Sequence, residues 1–265
     1  VGLAATRITA TWAEALEGVR VAVVGGIALC GVWEQLAPRL RTGTDLAIET
    51  IAAAPKEGIV PPFRRGDANV LLIHGSDESL ALAYQGISGP LRVWGANEHV
   101  IVGPAEDPAG IRGLTDGAAA LKRIAAANAA MIGFRDPGSH GVLQNLIRRS
   151  GVSVSPDWLL IDTLPEAHQV LELASQRRAY VIVGHIPVVF EKLRGEGLEV
   201  LVRGDPRMRR PYVVLEPGPR HPASEDQRAA ARRFADYLIS DSGQADLVAA
   251  DRAAGGPWIF PLAMS

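Results

Sequence analysis

Short apolar runs alternate with helix-patterned segments along almost the whole chain, and this alternation restricts the fold more than any other feature. Val19–Val24, Asn69–His74, Ala129–Phe134, Ala179–Val183 and Leu198–Val202 read as short buried strands. Leu46–Ala53 alternates like a half-buried strand, His99–Val102 is a strand stopped by Gly103-Pro104, and Tyr212–Leu215 is a further strand. Helices are predicted at Val32–Leu40, Ser79–Gln85, Gly117–Ala127, Gly141–Arg149, Pro165–Arg177, Pro187–Leu193, Glu225–Ile239 and Gly243–Ala250. Pro61-Pro62 interrupts Lys56–Arg65, so any helix there is expected to be short. Strands separated by helices predict parallel α/β sheets with the helices outside. Ligands of such sheets sit beyond the carboxyl ends of the strands, which singles out the loops after Val24, Ala53, Ile73, Phe134 and Val183.

The bulk numbers exclude several classes. The 265 residues suffice for one large domain or two lobes, and 48% hydrophobic with 21% charged residues is ordinary for a globular protein. A formal net charge of -2 provides no polybasic field for nucleic acid. No apolar run reaches the roughly 18 to 20 residues needed to span a bilayer. Cys30 is the single cysteine, so no intrachain disulfide forms, which fits a reducing compartment and also the periplasm. The chain starts at Val1 without Met or a basic leader region and reads as processed or trimmed.

Phe134-Arg135-Asp136-Pro137-Gly138-Ser139-His140 joins a strand to a helix. Free backbone N–H groups and the helix dipole favour an anion there, with Ser139 as a hydroxyl donor and Arg135 nearby. The alternative is that Ser139 only caps the helix and Arg135 is a surface residue. Gly25-Gly26 follows the first strand but lacks the third glycine of a dinucleotide fingerprint and the Lys-Ser/Thr of a phosphate loop. The six histidines have no metal-ligand spacing among themselves or with Cys30. Cys30 near a helix start reads as a small buried hydrophobe, with a reactive Cys–His pair as the alternative. Glu166 and His168 open a helix, where capping electrostatics or a pocket role both account for Glu166. The basic run Arg203–Arg210 reads as a solvated loop, and Glu216-Pro217-Gly218-Pro219 as a loop or hinge.

Several segments together resemble the tungstate-binding periplasmic proteins of ABC importers, a branch of the type II solute-binding proteins. They are Arg65-Gly66-Asp67-Ala68-Asn69-Val70-Leu71-Leu72-Ile73-His74, Asn97-Glu98-His99-Val100-Ile101-Val102-Gly103-Pro104, Asp107-Pro108-Ala109-Gly110-Ile111, Gly204-Asp205-Pro206-Arg207, Pro211-Tyr212, His221-Pro222, Ser242-Gly243-Gln244 and Phe260-Pro261. The match runs in order over most of Val19 to Pro261. The resemblance implies a two-lobed α/β type II periplasmic binding protein fold with the ligand in a cleft between lobes. We place lobe one at 1–98 plus 216–265 and lobe two at 99–215. It also implies an oxyanion held by hydroxyls, amides and an arginine, the last falling on Arg135 and the following hydroxyl on Ser139.

The departures from that pattern matter. Val23-Val24-Gly25-Gly26-Ile27 replaces a Thr/Ser-rich loop, Cys30 stands where serine is usual, Pro55-Lys56-Glu57 replaces Gly-Thr-Gly, and Gly184-His185-Ile186-Pro187 replaces Asp-Arg-Gly-Thr. A small dianion needs many convergent donors to offset its desolvation. The expected ligand is therefore a small organic anion rather than tungstate. The expected site comprises Gly25, Gly26, Cys30, Lys56, Glu57, Arg135, Ser139, Glu166 and His185. No cofactor, metal or nucleic acid is expected. The chain is expected to act as a monomeric receptor, periplasmic or tethered outside the membrane, that delivers its ligand to a membrane permease. Alternatives are a tungstate or molybdate receptor, an enzyme using Cys30, His185 or Glu166, and a cytoplasmic sensor domain.

Overall fold

The structure is a computed structural model and describes residues 18–162, 167–190 and 193–262. Its first part runs β1 (Gly18–Val24), α1 (Gly25–Leu29), α2 (Val32–Thr44), β2 (Ala47–Ala54), α3 (Lys56–Arg65), β3 (Val70–His74) and α4 (Asp77–Tyr84). A long strand follows, β4 (Arg92–Pro104), then α5 (Gly117–Ala126), β5 (Met131–Gly133), α6 (Pro137–Ser150) and β6 (Leu159–Ile161). The chain continues through α7 (Val170–Arg177), β7 (Tyr180–Gly184), α8 (His185–Val189), β8 (Leu198–Val202) and β9 (Arg209–Leu215). It closes with α9 (Glu225–Ile239), α10 (Asp241–Ala253) and β10 (Ile259–Phe260).

The strands lie in the order β2-β1-β3-β9-β4-β7-β5-β6, with β8 and β10 also paired to β4. β2, β1 and β3 are parallel, as are β6, β5 and β7, matching the strand–helix alternation. β4 joins the two groups. Its residues Arg92–Glu98 pair antiparallel with β9, and His99–Val102 pair antiparallel with β7. The crossing therefore falls between Glu98 and His99. One apolar core gathers β1, β3, α2, α9 and β9. Two further clusters, on Leu121, Leu146 and Tyr180 and on Ile132, Val181 and Leu171, belong to the second group of strands.

β9 pairs antiparallel with β3, and Tyr212, Val213, Val214 and Leu215 are buried in the first core. We therefore divide the lobes at residue 208 on the return crossing, not at 215. Of the two readings of 216–219, loop or hinge, the loop fits: the Gly218 amide donates to the Ile87 carbonyl at 2.8 Å.

Some elements differ in extent from expectation. β4 is far longer than His99–Val102 because its first half faces sheet residues through a mixed polar and apolar pattern. α3 runs ten residues despite Pro61 and Pro62, with Ile59, Val60 and Phe63 buried. Packing of an apolar face, more than local propensity, supplies helix stability. α8 starts at His185 and stops at Val189, so Pro187 falls in its first turn, where a missing N–H costs nothing. In α6 the cap is Asp136, not Ser139: its Oδ2 accepts from the Ser139 amide at 2.9 Å.

Candidate ligand-binding cleft

A cavity of about 310 Å³ opens where the two lobes meet. Lobe one contributes Gly26 after β1, His74 at the end of β3, and Arg210 and Tyr212 of β9. The crossing strand β4 contributes Asn97 and His99. Lobe two contributes Phe134, Asp136, Ser139, Gly184, Ile186 and Pro187, among others. The carboxyl ends of β1, β3, β5 and β7 thus feed the cavity, as the parallel arrangement requires.

Period-two geometry aims the polar groups. Residues two apart on a strand share a face, so Arg210 and Tyr212 project together, as do Asn97 and His99. Register places Asn97 opposite Arg210 and His74 opposite Tyr212. The His74 and Tyr212 rings stack with centroids 4.6 Å apart, and Trp94 stacks on the other side of Tyr212 at 5.6 Å.

Five buried polar atoms lining this cavity have no hydrogen-bond partner: His74 Nε2, Asn97 Oδ1, His99 Nδ1, Ser139 Oγ and Tyr212 OH. Each such group costs about 1–3 kcal/mol when left unsatisfied, so a cluster of five makes this cavity the candidate site for a polar ligand. A larger groove of about 510 Å³ beside β6, lined by Val154, Leu159, Ile161 and Arg177 among others, contains no such atom.

Arg210 is the one arginine or lysine among the described residues that line the cavity. Burial draws its guanidinium pKa down, and Asp136 opposes this. Burial also pushes the His99 imidazole to about 4, with Asp136 opposing and Arg210 reinforcing the shift. His74 falls well below its ordinary value by burial, helped by Arg210 and His99. The His74 and His99 imidazoles are neutral at pH 7, which leaves Arg210 facing Asp136, with His168 as a third imidazole in the lining.

Gly26 and Ser139 of the expected site line this cavity. Gly25 packs against Ala54 and Pro55 instead. Arg135 points elsewhere: its side chain is 58% exposed and its Nε lies 3.7 Å from Asp162 Oδ2. Cys30 caps the end of α1 and immediately precedes Gly31, the N-cap of α2, its Sγ donates to the Ile27 carbonyl at 3.4 Å, and burial pushes its thiol up to about 11. Lys56 and Glu57 are exposed in the first turn of α3. His185 is buried and turned toward Glu98 Oε2 at 3.6 Å and the Trp258 ring, and burial lowers its pKa. Glu166 lies outside the described residues.

Sequence reasoning missed His74, Asn97, His99, Asp136, Arg210 and Tyr212 as site residues. The available signal was the polar i, i+2 pairs Asn97/His99 and Arg210/Tyr212 inside strands. Arg210 was hidden because β9 begins at Arg209, which turns the end of a basic run into a half-buried strand.

No protein-family model matches the chain. An ABC transporter anion-binding protein of Haloferax volcanii is 28% identical over 245 residues, covering 88% of this chain and 66% of that protein. This chain thus spans slightly under two thirds of that relative's length. The tungstate-binding protein TupA of Peptoclostridium acidaminophilum is 24% identical over 220 residues, covering 81% of this chain and 74% of its own. In structure, the tungstate-binding protein TupA from Desulfovibrio alaskensis superposes with a TM-score of 0.68 and 22% identity, covering 93% of this chain and 99% of that one. The chain is thus similar to tungstate-binding proteins and has the type II periplasmic binding-protein fold. These relatives are binding proteins rather than enzymes. Cys30 Sγ donates to the Ile27 carbonyl, and His185 Nδ1 lies 3.6 Å from Glu98 Oε2. Among the described residues no three His, Cys, Asp or Glu side chains group to hold a metal ion, and no helix is long and apolar enough to cross a membrane.

Proposed function

We propose that this chain is the extracytoplasmic receptor of an ABC importer and that it holds a small organic monoanion in the interlobe cavity, for delivery to a membrane permease. Arg210 receives the acidic group, in place of the Arg135 expected from sequence, with the Ser139 and Tyr212 hydroxyls as further donors.

The charge balance of the cavity carries this reading. Arg210 faced by Asp136, with the His74 and His99 imidazoles neutral, gives no net charge among these four groups, which favours a ligand of low net charge and leaves a dianion uncompensated. The volume of about 310 Å³ lies at the lower end of the range of about 300–1,000 Å³ for cavities that hold small organic molecules. A second reading, a tungstate or molybdate receptor, draws on the names of the relatives.

Isothermal titration of tungstate, molybdate and a panel of organic acids into the wild type and Arg210→Ala decides between them. Binding of an organic acid that is lost in Arg210→Ala is the expected result. Tight tungstate or molybdate binding with no acid bound overturns the organic-anion assignment.

A further inference from the structure

Arg210 does not stand alone in the cavity. A methyl group built on the Gly138 Cα would come within 2.7 Å of Arg210 Nη1, 3.0 Å of His99 Nε2 and 3.2 Å of Asp136 Oδ2. The cation, the neutral imidazole and the carboxylate therefore converge against Gly138, where there is no room for a side chain. Asn97 lines the cavity with them from β4, in direct register with Arg210 on β9. Side chains directly opposite on antiparallel strands lie about 4.5–5.5 Å apart at Cβ. Asn97 is 7% exposed and its Oδ1 has no partner.

Two of these groups accept hydrogen bonds. Asn97 Oδ1 is an acceptor, and the Asp136 carboxylate oxygens accept, with capacity beyond the Ser139 amide that Oδ2 already binds. A ligand made only of acceptor oxygens would set its charge beside Asp136 and leave Asn97 Oδ1 unsatisfied. We infer that the ligand carries a hydroxyl or amine donor adjacent to its acidic group, the acid on Arg210 and the donor on Asp136 and Asn97. This rests on the organic-anion reading above and names the class within it: a 2-hydroxy or 2-amino carboxylate. Adjacency follows from the crowding, because donor and acceptor partners converge on one point.

The test is titration calorimetry on residues 1–265 with matched sets of acids: propionate, lactate and alanine, and glutarate, 2-hydroxyglutarate and glutamate. In at least one set the hydroxy or amino acid is expected to bind at least about tenfold more tightly than its unsubstituted parent, the loss that follows when buried acceptors are left unpaired. Asp136→Asn keeps a capping side chain on α6, since Asn and Asp cap equally well. It is expected to erase a preference for the amine and to leave a preference for the hydroxyl, which separates the two sources of the donor. Asn97→Leu, checked for folding by thermal unfolding, is expected to weaken the substituted acids more than their parents. Parents binding as tightly as their substituted forms overturn this inference and leave the organic-anion reading standing. Tungstate binding while every acid fails overturns both, and failure of every acid alone overturns the inference.

Discussion

The imidazole of His74 stacks on the phenol of Tyr212, 4.6 Å between centroids and inclined by 27°, while the Tyr212 hydroxyl behind that contact has no hydrogen-bond partner. Tyr212→Phe keeps the ring and removes the unsatisfied oxygen. Without ligand, the variant is expected to be as stable as the wild type or more stable by about 1 kcal/mol. Its affinity for the ligand is expected to fall about tenfold. Thermal unfolding and calorimetry read the two effects separately. A destabilised variant with unchanged affinity would show that the hydroxyl serves the fold.

Gly138→Ala places a methyl group against the far end of Arg210, a flexible side chain that can move aside. The fold is expected to survive with little change in Tm, since alanine is favoured over glycine by up to about 1 kcal/mol within a helix. Binding is expected to drop at least about tenfold, because the guanidinium leaves its position. Unaltered affinity would place the anion away from Arg210.

Arg135→Ala provides the contrast. The residue is adjacent in sequence to Asp136 but its side chain is 58% exposed and directed to Asp162. Ligand affinity is expected to stay within about twofold of wild type, as surface ion pairs contribute only about 0–1 kcal/mol. A loss comparable to that of Arg210→Ala would return the anion to Arg135.

How much of this was legible in sequence follows from the kind of information each feature needs. The strands Val19–Val24, Asn69–His74 and Ala179–Val183 were readable because both faces are buried and the apolar run is continuous. Ser139 was readable as a cavity residue from its place at a strand–helix junction. Arg210 was not, because its burial depends on β9 pairing with both β3 and β4, a contact between segments more than a hundred residues apart. His99 likewise looked like the start of a short strand, whereas it sits mid-way along β4, just beyond the crossing. The Thr/Ser-poor loops were noticed, but the groups that replace them come from strands rather than from those loops.

Stability is expected to fall on acidification. The His99 imidazole titrates at about 4 in the folded chain against an ordinary 6.5. Between these values the unfolded chain binds a proton that the folded chain does not, so stability rises with pH across that window. The contribution is complete above pH 6.5 and lost as pH falls to about 4, amounting to about 3 kcal/mol. His74, lowered in the same direction, adds to the slope. Thermal unfolding of wild type and His99→Asn from pH 7 to pH 4 checks this. Parallel curves for the two proteins would remove His99 as the source.

Cys30 is expected to be inert toward thiol reagents in the native protein at pH 8. Its thiol is buried and its pKa is raised to about 11 by that burial. Reaction with a disulfide reagent is expected only after unfolding in denaturant. Rapid labelling of the folded chain would show the core around α1 opening.

β4 is hydrogen bonded to β9 through Glu98 and to β7 from His99 onward. Any rotation of one lobe against the other bends backbone at this junction, and Asn97 and His99, which flank it, also line the cavity. In the receptor proposed above, the joint and the sensor are thus the same few peptides. Recognition and closure would share their atoms there, so selection could not retune specificity at those two positions without also retuning the speed and extent of the motion.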